Sequence, residues 1–229
     1  MLNNNFINKN NKLIENKACF FIDNIFSAKI TAGFTNSSLS GQLPSDFNRL
    51  LSYIGKEASF SYMDQKHSPK VVVIQKPGFY QADGLFTKGK NHFLVVKTAD
   101  CLPLLFANKD HLIGVIHMGW RPAKKGILKN IPFNLADFKV VAGLGLRSCC
   151  YQVGNEFRKF EELSPYLKIT LKGVFFNPVQ FAKDQLISKG LNKDNFFDLG
   201  LCSFCSKHNF FSYRKNKTIQ RNLSFIGIN

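Results

Sequence analysis

Two residue types that commonly bind metal ions, Cys101 and His117, lie at the two ends of a predicted β-hairpin. Two apolar runs flank the turn-forming residues 108–110, which is typical of antiparallel strands joined by a short loop. If the loop is centred on Lys109, Cys101 faces His117 with Cβ atoms about 4.5–5.5 Å apart. Pro103 could shift this register, because proline cannot donate a hydrogen bond within a sheet. The hairpin therefore predicts two soft or borderline metal ligands on one face.

The residues after His117 predict an anion site beside this pair. Pro122 suits the first position of a helix, because its missing N–H would have no partner there, so a helix is expected over residues 122–129. The free N–H groups and positive dipole end of this helix, with Arg121 and Lys124 next to them, would attract an anion. Taken singly, a buried thiol, a core histidine and a solvated basic helix explain the same residues. Their joint placement favours a site.

Three motifs around the hairpin resemble those of a known family. Residues 98–103 read Thr-Ala-Asp-Cys-Leu-Pro, residues 117–121 read His-Met-Gly-Trp-Arg, and residues 65–68 read Gln-Lys-His-Ser. They resemble the TADC-x-P, H-x-GWR and Gln-x-His-Ser/Gly signatures of the YfiH-like family, also called the multicopper polyphenol oxidase or laccase-domain family. The resemblance implies a metal site with three ligands, namely His67, Cys101 and His117.

Weaker matches extend the resemblance over residues 29–228. They include the strand-like KITAGFT at 29–35, a C-C-Y-x-V-G segment at 149–154 and an F-x-S-Y-R strand at 210–214. The resemblance implies a layered α/β/β/α sandwich with mixed sheets faced by helices, the YfiH-like fold. The order of elements in the sequence, strands interleaved with short helices and hairpins, agrees with an α+β class.

The hydrophobic periodicity predicts the elements that position the site. Residues 70–75 contain a Val-Val-Val-Ile run, which is typical of a strand buried on both faces. Strands are also expected over 18–25, 29–35, 58–63, 138–144 and 223–228, and helices over 45–54, 155–163 and 177–188.

The three ligands implied by the resemblance leave a fourth tetrahedral position open, as in a catalytic zinc site. Such a zinc lowers the pKa of a water to about 7 and polarises an oxygen as a Lewis acid. The resemblance implies purine nucleoside phosphorolysis of adenosine, inosine and related nucleosides, with adenosine deamination and methylthioadenosine cleavage as companion activities. Zinc is the expected cofactor, and copper is the alternative.

Four further residues receive site roles from the resemblance and from simple chemistry. Arg121 would hold phosphate ready to attack the sugar carbon. Asp100 is a candidate for proton handling or for orienting a ligand histidine, because metal-bound imidazoles usually donate their second N–H to an acceptor. Gln65 and Asn36 stand at expected substrate-binding positions, although the family has arginine where this chain has Asn36. That departure predicts weaker substrate binding.

Three other functions fit the same residues. A copper-dependent phenol oxidase is implied by the family name, although a laccase needs several coppers and many histidines, and this chain has five. A hydrolase that edits peptidoglycan precursors would use Cys101 as a nucleophile. A protein that keeps the fold and the metal but lacks the pocket arginine would only bind a nucleoside or a partner.

The composition indicates a globular protein, which we expect to form a single catalytic domain over residues 1–229. It is 45% hydrophobic and 14% aromatic, which excludes intrinsic disorder. The net charge of +16 is spread along the chain without a basic block, so we expect no specific nucleic-acid partner. Lys, Asn, Ile and Phe are all plentiful, as a nucleotide-composition bias would produce.

The termini and cysteines predict a cytoplasmic protein without a membrane partner. The asparagine-rich residues 1–17 lack the apolar core of a signal peptide and are expected to form an irregular edge. Six cysteines that include the adjacent Cys149 and Cys150 do not resemble a secreted disulfide framework. Cys202 and Cys205 lack a second cysteine pair at regular spacing, so a buried structural role is favoured there over zinc or redox chemistry.

Overall fold

The structure is a computed structural model that describes residues 12–229, and within this range the chain forms strands and a few short helices. The strands are β1 (Lys12–Asn16), β2 (Cys19–Asp23), β3 (Ile30–Thr35), β4 (Ser59–Met63), β5 (Val71–Val73), β6 (Gly78–Tyr80), β7 (Gly84–Thr87), β8 (His92–Thr98), β9 (Leu102–Asn108), β10 (Ile113–Met118), β11 (Phe138–Ala142), β12 (Gln152–Val153), β13 (Leu167–Thr170), β14 (Gly173–Phe176), β15 (Phe196–Asp198) and β16 (Asn222–Ile228). The α-helices are α1 (Ser45–Tyr53), α2 (Trp120–Lys124), α3 (Pro178–Ser188) and α4 (Tyr213–Asn216), and 3₁₀ turns occur at Asn155–Lys159, Ser164–Tyr166 and Lys193–Asn195. Among these helices, none combines the length and the apolar character that a membrane span requires.

Two large mixed sheets lie face to face. The first has the strand order β1-β2-β3-β16-β8-β4-β6 and the second the order β15-β11-β9-β10-β7-β5. Most neighbours are antiparallel, whereas β4 pairs in parallel with β6 and β8, β5 with β7, and β11 with β15. A small antiparallel sheet, β12-β14-β13, is separate from both. The mixed sheets confirm the predicted α+β class.

Side-chain alternation along β8 shows how the layers form. Leu94 and Val96 lie in the core between the two sheets, whereas Phe93 and Val95 pack with Phe47 of α1 on the outer face. Successive side chains of a strand point to opposite faces, so a continuously apolar strand must be covered on both sides. On the far side of the second sheet, buried residues of α3 belong to the same apolar cluster as residues of β9 and β11. These layers agree with the α/β/β/α arrangement that the motifs implied.

The β9–β10 hairpin forms where it was predicted, but its register differs. The pairing sets His117 opposite Pro103, so Cys101 lies just before β9 and not opposite His117. The loop is centred on Asp110 and not on Lys109, because the Asn108 side chain accepts hydrogen bonds from N–H groups of the loop. The register moves by two residues, which leaves every side chain on the same face of the sheet. The predicted pairing of Cys101 with His117 was therefore wrong. The Cys101 sulfur and a His117 ring nitrogen nevertheless lie within 4.8 Å of each other, as the hairpin predicted.

The amino-terminal prediction is partly wrong. Residues 12–16 form the regular strand β1, which pairs antiparallel with β2 at the edge of the first sheet. Residues 1–11, the rest of the segment expected to be irregular, lie outside the described residues.

Three further elements differ from the predictions. The strand within 70–75 is β5, an edge strand whose Val73 is 49% exposed, so it is not buried on both faces. The helix expected over 155–163 is only the 3₁₀ turn Asn155–Lys159. The strand expected over 210–214 is replaced by the start of α4, because Ser212 accepts a hydrogen bond from the Lys215 N–H and caps that helix.

Candidate metal centre

The structure brings His67, Cys101 and His117 together from three separate segments. His67 lies in the loop between β4 and β5, Cys101 directly precedes β9, and His117 lies in β10. Their donor atoms all lie within 4.8 Å of one another, with 3.7 Å between Cys101 Sγ and His67 Nε2. The two imidazole rings meet edge to face, 4.8 Å apart between centroids. The cluster is half-buried on the His67 and Cys101 side and buried at His117.

Gly119 makes room for this cluster. A Cβ atom at this position would lie 2.9 Å from Cys101 Sγ and 3.1 Å from His67 Cδ2, closer than side-chain atoms normally approach. The φ angle of Gly119 is −81°, so glycine is required here for space and not for backbone conformation. This close approach explains why glycine follows the histidine by two residues in the His-Met-Gly-Trp-Arg segment.

Asp83 orients His117 and shapes the loop that carries His67. The His117 Nδ1–H donates to Asp83 Oδ1 at 2.8 Å, and Asp83 is completely buried. The carboxylate also accepts hydrogen bonds from the backbone N–H groups of Lys66, His67 and Ser68 and from the Ser68 hydroxyl. Because Nδ1 of His117 is occupied, its Nε2 is the nitrogen left for a metal. The loop also holds His67 in the left-handed backbone region, at φ 54°.

The charges at this cluster reinforce one another. Burial raises the pKa of the Cys101 thiol, but the positive charge of His117 and hydrogen bonds from His117 and His67 outweigh it and lower the pKa to about 6. Burial lowers the pKa of His117, but the Cys101 thiolate and the Asp83 hydrogen bond outweigh it and raise the pKa to about 9. Burial likewise raises the pKa of Asp83, whereas hydrogen bonds from His117 and Ser68 lower it overall. At neutral pH the metal-free cluster therefore holds a thiolate beside an imidazolium.

The donor set fits a tetrahedral metal ion. With metal–sulfur and metal–nitrogen bonds of about 2.3 and 2.05 Å, a thiolate and an imidazole on one zinc lie about 3.6 Å apart. The 3.7 Å between Cys101 Sγ and His67 Nε2 matches this value. One thiolate and two imidazoles suit zinc and also copper. These three residues could therefore hold a metal ion and leave one position for another ligand.

Asp100, the acidic residue next to Cys101, turns away from the histidines. Its carboxylate accepts hydrogen bonds from the hydroxyls of Ser203 and Ser212 and from the Arg214 N–H, at 2.6–2.8 Å. The role of orienting His117, which was predicted for Asp100, belongs to Asp83, and proton handling by Asp100 stays a prediction. Asp100 instead ties the C-terminal segment to the segment that carries Cys101, and its backbone adopts φ 97°, which few non-glycine residues do.

The helix expected over 122–129 is shorter and starts earlier. It is α2, with Gly119 as the N-cap, so Pro122 is the third residue and not the first. Gly126, in the left-handed region at φ 78°, lies just beyond its end. A helix of five residues has too small a dipole to form the predicted anion site by itself.

Arg121 and Lys124 of α2 lie on aromatic faces. The guanidinium carbon of Arg121 is 4.6 Å from the centroid of the Trp120 ring, and Lys124 Nζ is 3.7 Å from that of Phe160. Trp120 and Phe160 are themselves stacked, with 8° between their planes. Both cations are exposed, so they remain available to an anion.

Gln65 and Asn36 use their side chains within the protein. The Gln65 side-chain amide donates to the Lys97 carbonyl and accepts from the Lys97 N–H, at 2.8 and 2.9 Å. The side chain thus pairs with the backbone of β8 as a neighbouring strand would. The Asn36 side chain accepts from the Ser38 N–H and donates to the Lys17 carbonyl, which closes the turn after β3. Neither residue is brought to the donor cluster by these contacts, so their substrate-binding roles remain predictions.

A cavity of about 430 Å³ is lined by residues that adjoin the donor cluster, although none of the three donors lines it. Two of its lining residues connect directly to the neighbours of Cys101: Trp120 follows Gly119 in the chain, and the Arg214 N–H donates to Asp100. The volume lies within the range of small-molecule pockets. The lining residues are Trp120, Tyr151, Gln152, Val153, Gly154, Glu156, Phe157 and Arg214.

Asp83 and the cavity residues were not assigned by the sequence. Asp83 lies in an Ala-Asp-Gly segment before a buried strand, and the rule that ligand histidines need an acceptor was applied to the wrong aspartate. Asp83 is 34 residues from His117 along the chain, so only strand pairing between β7 and β10 could connect them.

Known proteins are similar to this chain in fold and in sequence. The crystal structure of YlmD from Geobacillus stearothermophilus superposes with a TM-score of 0.84 and 22% identity, covering 94% of this chain and 98% of that one. The crystal structure of a Bacillus licheniformis hypothetical protein, YfiH, has a TM-score of 0.81 and 21% identity, with the same coverage. A purine nucleoside phosphorylase of Aquifex aeolicus is 32% identical over 187 residues, which are 79% of this chain and 87% of the relative. The family model described as Multi-copper polyphenol oxidoreductase laccase matches residues 34–229, and the chain belongs to this family, the YfiH-like family that its motifs resemble.

Proposed function

We propose that this protein is a zinc-dependent purine nucleoside phosphorylase that cleaves adenosine- and inosine-type nucleosides with phosphate. The observation that carries the proposal is the donor cluster of His67, Cys101 and His117 beside a cavity lined by aromatic residues. The 32% identity to an Aquifex aeolicus protein named purine nucleoside phosphorylase supports the same activity. We propose adenosine deamination and methylthioadenosine phosphorolysis as companion activities of the same site.

The cavity suits a purine base and its sugar. Trp120, Tyr151 and Phe157 offer aromatic faces and edges on which a purine can stack. Tyr151 is buried, and burial raises the pKa of its hydroxyl, so the hydroxyl stays protonated and can donate a hydrogen bond to the bound nucleoside. Arg214, in the same wall, and Arg121, on the Trp120 ring, are cations that can hold phosphate.

The reaction needs phosphate and the sugar carbon to be held in line. A phosphate oxygen forms a bond to C1′, the C1′–N9 bond breaks, and the purine leaves with the bonding electrons and takes up a proton. The positively charged Arg121 and Arg214 would position phosphate and offset its charge as the base departs. When bound to His67, Cys101 and His117, zinc supplies Lewis-acid chemistry, and copper is the alternative metal.

The products from adenosine distinguish the proposed activities. Phosphorolysis gives adenine and ribose 1-phosphate, whereas deamination gives inosine. We expect chromatography to show release of free base from adenosine and inosine only when phosphate is present. We expect turnover to be slow, because Asn36 replaces the arginine of the family pattern, and an Asn36→Arg variant to be faster. If zinc-loaded wild type and this variant both leave the nucleosides intact, the proposal is wrong.

Copper-dependent phenol oxidation is the second candidate, and the description of the matching family favours it. The described residues offer one donor group with two histidines and one group of four cysteines, which is fewer imidazoles than several coppers need. A phenol-oxidation assay with copper-loaded protein, run beside the nucleoside assay, tests it. Oxidation of phenols without nucleoside cleavage would favour this function.

A further inference from the structure

Four cysteines outside the proposed active site converge on one point. Cys149 and Cys150 come from the segment after β11, and Cys202 and Cys205 from the segment after β15. Their sulfur atoms all lie within 4.8 Å of one another, and Cys149 Sγ is 3.6 Å from Cys205 Sγ. A disulfide would require about 2.05 Å, and all four cysteines are free thiols. The sequence spacing had not predicted this second pair for Cys202 and Cys205, because it is adjacent and not of the C-x-x-C type.

The backbone explains how the two pairs meet. Gly145 and Cys202 form an isolated parallel β-bridge, and the Ser203 N–H donates to the Gly145 carbonyl at 3.1 Å. Each pair then sits on a tight turn, closed by Cys150 N–H to the Arg147 carbonyl and by Ser206 N–H to the Cys202 carbonyl. The two turns face each other across the bridge and present four sulfur atoms.

The four cysteines differ in burial. Cys202 is 5% exposed and Cys150 is half-buried, whereas Cys149 and Cys205 are exposed. A zinc ion can therefore reach the group from the solvent side, and it would bind the cysteines as thiolates.

We propose that Cys149, Cys150, Cys202 and Cys205 bind a second zinc ion as a closed tetrathiolate site. Four thiolates around one zinc lie about 3.8 Å apart, with zinc–sulfur bonds of about 2.3 Å. The separations of up to 4.8 Å are close to this value, so small side-chain rotations bring the sulfur atoms into position. Four protein ligands leave no position for a substrate, which makes the site structural and not catalytic.

The proposed zinc would fix one wall of the active-site cavity. Ser203, next to Cys202, donates to the Asp100 carboxylate, and so does the N–H of Arg214 from the same C-terminal segment. Asp100 precedes the metal ligand Cys101, and Arg214 lines the cavity. A zinc ion at the four thiols would therefore fix the position of the C-terminal segment relative to His67, Cys101 and His117. It would take no part in the reaction itself.

Metal stoichiometry tests the proposal. Protein purified with zinc and a reductant should carry about two zinc ions per chain by native mass spectrometry, one for each donor group. A Cys202→Ser/Cys205→Ser variant and a His67→Ala/His117→Ala variant should each keep about one. Cys19→Ser is the matched control, because Cys19 is a free cysteine buried in β2 far from both groups in the sequence, and it should keep both ions. A Cys202→Ser/Cys205→Ser variant that keeps as much zinc as the wild type, or a folded His67→Ala/His117→Ala variant that binds none, would overturn the proposal.

A second measurement tests the proposal even if the Cys202→Ser/Cys205→Ser variant does not fold. The His67→Ala/His117→Ala variant retains all four thiols, so we expect it to bind one equivalent of Co²⁺ with intense thiolate-to-metal absorption. Zinc should remove this absorption and protect the four cysteines from alkylation. If no absorption develops, or if a disulfide among these cysteines persists under reductant, the four thiols are not a zinc site.

Discussion

The replacement Asp83→Asn tests whether a carboxylate behind His117 organises the metal centre. Asp83 is completely buried and accepts five hydrogen bonds, three from backbone N–H groups, one from a hydroxyl and one from His117 Nδ1. Asparagine has nearly the same shape but presents one oxygen and one NH₂ group to these donors. Whichever way the amide turns, at least one N–H therefore meets another donor.

Both orientations of the new amide weaken the site. If NH₂ faces the Ser68 loop, it opposes two backbone N–H groups; if it faces His117, the imidazole must move its proton to Nε2, the nitrogen needed for the metal. An unsatisfied buried donor costs about 1–3 kcal/mol of folding free energy. Losing the partner that orients a metal-bound histidine lowers metal affinity about 10- to 100-fold, or about 1.4–2.7 kcal/mol. We expect losses of this size in zinc affinity and in the stability of the metal-free protein.

Two assays separate these effects. Zinc affinity is measured by the zinc concentration that protects Cys101 from alkylation, which reports this site alone, and stability by urea unfolding in the presence of a chelator. Asp64→Asn is the matched control, because Asp64 lies in the same loop but only pairs with Lys66 at the surface. The reasoning fails if Asp83→Asn needs no more zinc than wild type to protect Cys101.

Three further changes probe the same centre. Arg121→Ala should weaken phosphate binding about tenfold by titration calorimetry, because a charge-assisted contact is lost, whereas Lys125→Ala should not; equal affinities would make Arg121 a surface cation only. In metal-free protein, the rate of Cys101 alkylation should rise with pH around a midpoint of about 6, because the lowered pKa makes the thiol about 90% thiolate at pH 7. A midpoint above 8 would contradict the thiolate–imidazolium pair. Gly119→Ala places a Cβ 2.9 Å from Cys101 Sγ and should lower zinc affinity, whereas Gly78→Ala, with 3.5 Å to its nearest neighbour, should not; unchanged affinity in Gly119→Ala would show that the sulfur can move aside.

The sequence predicted those parts of the fold that depend on local patterns. Alternation and apolar runs located most strands of both sheets, and the hairpin was found because its two runs flank an asparagine-containing turn. The predicted register of the hairpin was wrong by two residues, because the Asn108 side chain accepts hydrogen bonds from two N–H groups of the loop and so sets the position of the turn. The edge position of β5 could not be predicted, since exposure of an apolar strand depends on which strands pair with it.

For the candidate site too, the sequence identified residues that lie in local motifs but not contacts between distant parts of the chain. The three donors were found by motif, whereas the role of orienting a histidine, expected of Asp100, belongs to Asp83 for His117. Both are buried or half-buried aspartates next to a candidate metal ligand, Asp83 in space and Asp100 in the chain, so residue type alone cannot distinguish them. What separates them is the strand that each one precedes: Asp83 leads into β7, which pairs with the His117 strand.

Asp100 instead faces the C-terminal segment, where two serine hydroxyls and a backbone N–H already satisfy both of its oxygens. These three donors, and not a histidine, are the hydrogen-bond partners of this carboxylate among the described residues. Its neighbour Cys101 is thus fixed through the backbone, and the carboxylate fixes Arg214 in the cavity wall. Replacing Asp100 should therefore disturb substrate binding through this segment more than it disturbs metal binding, the opposite of what is expected for Asp83.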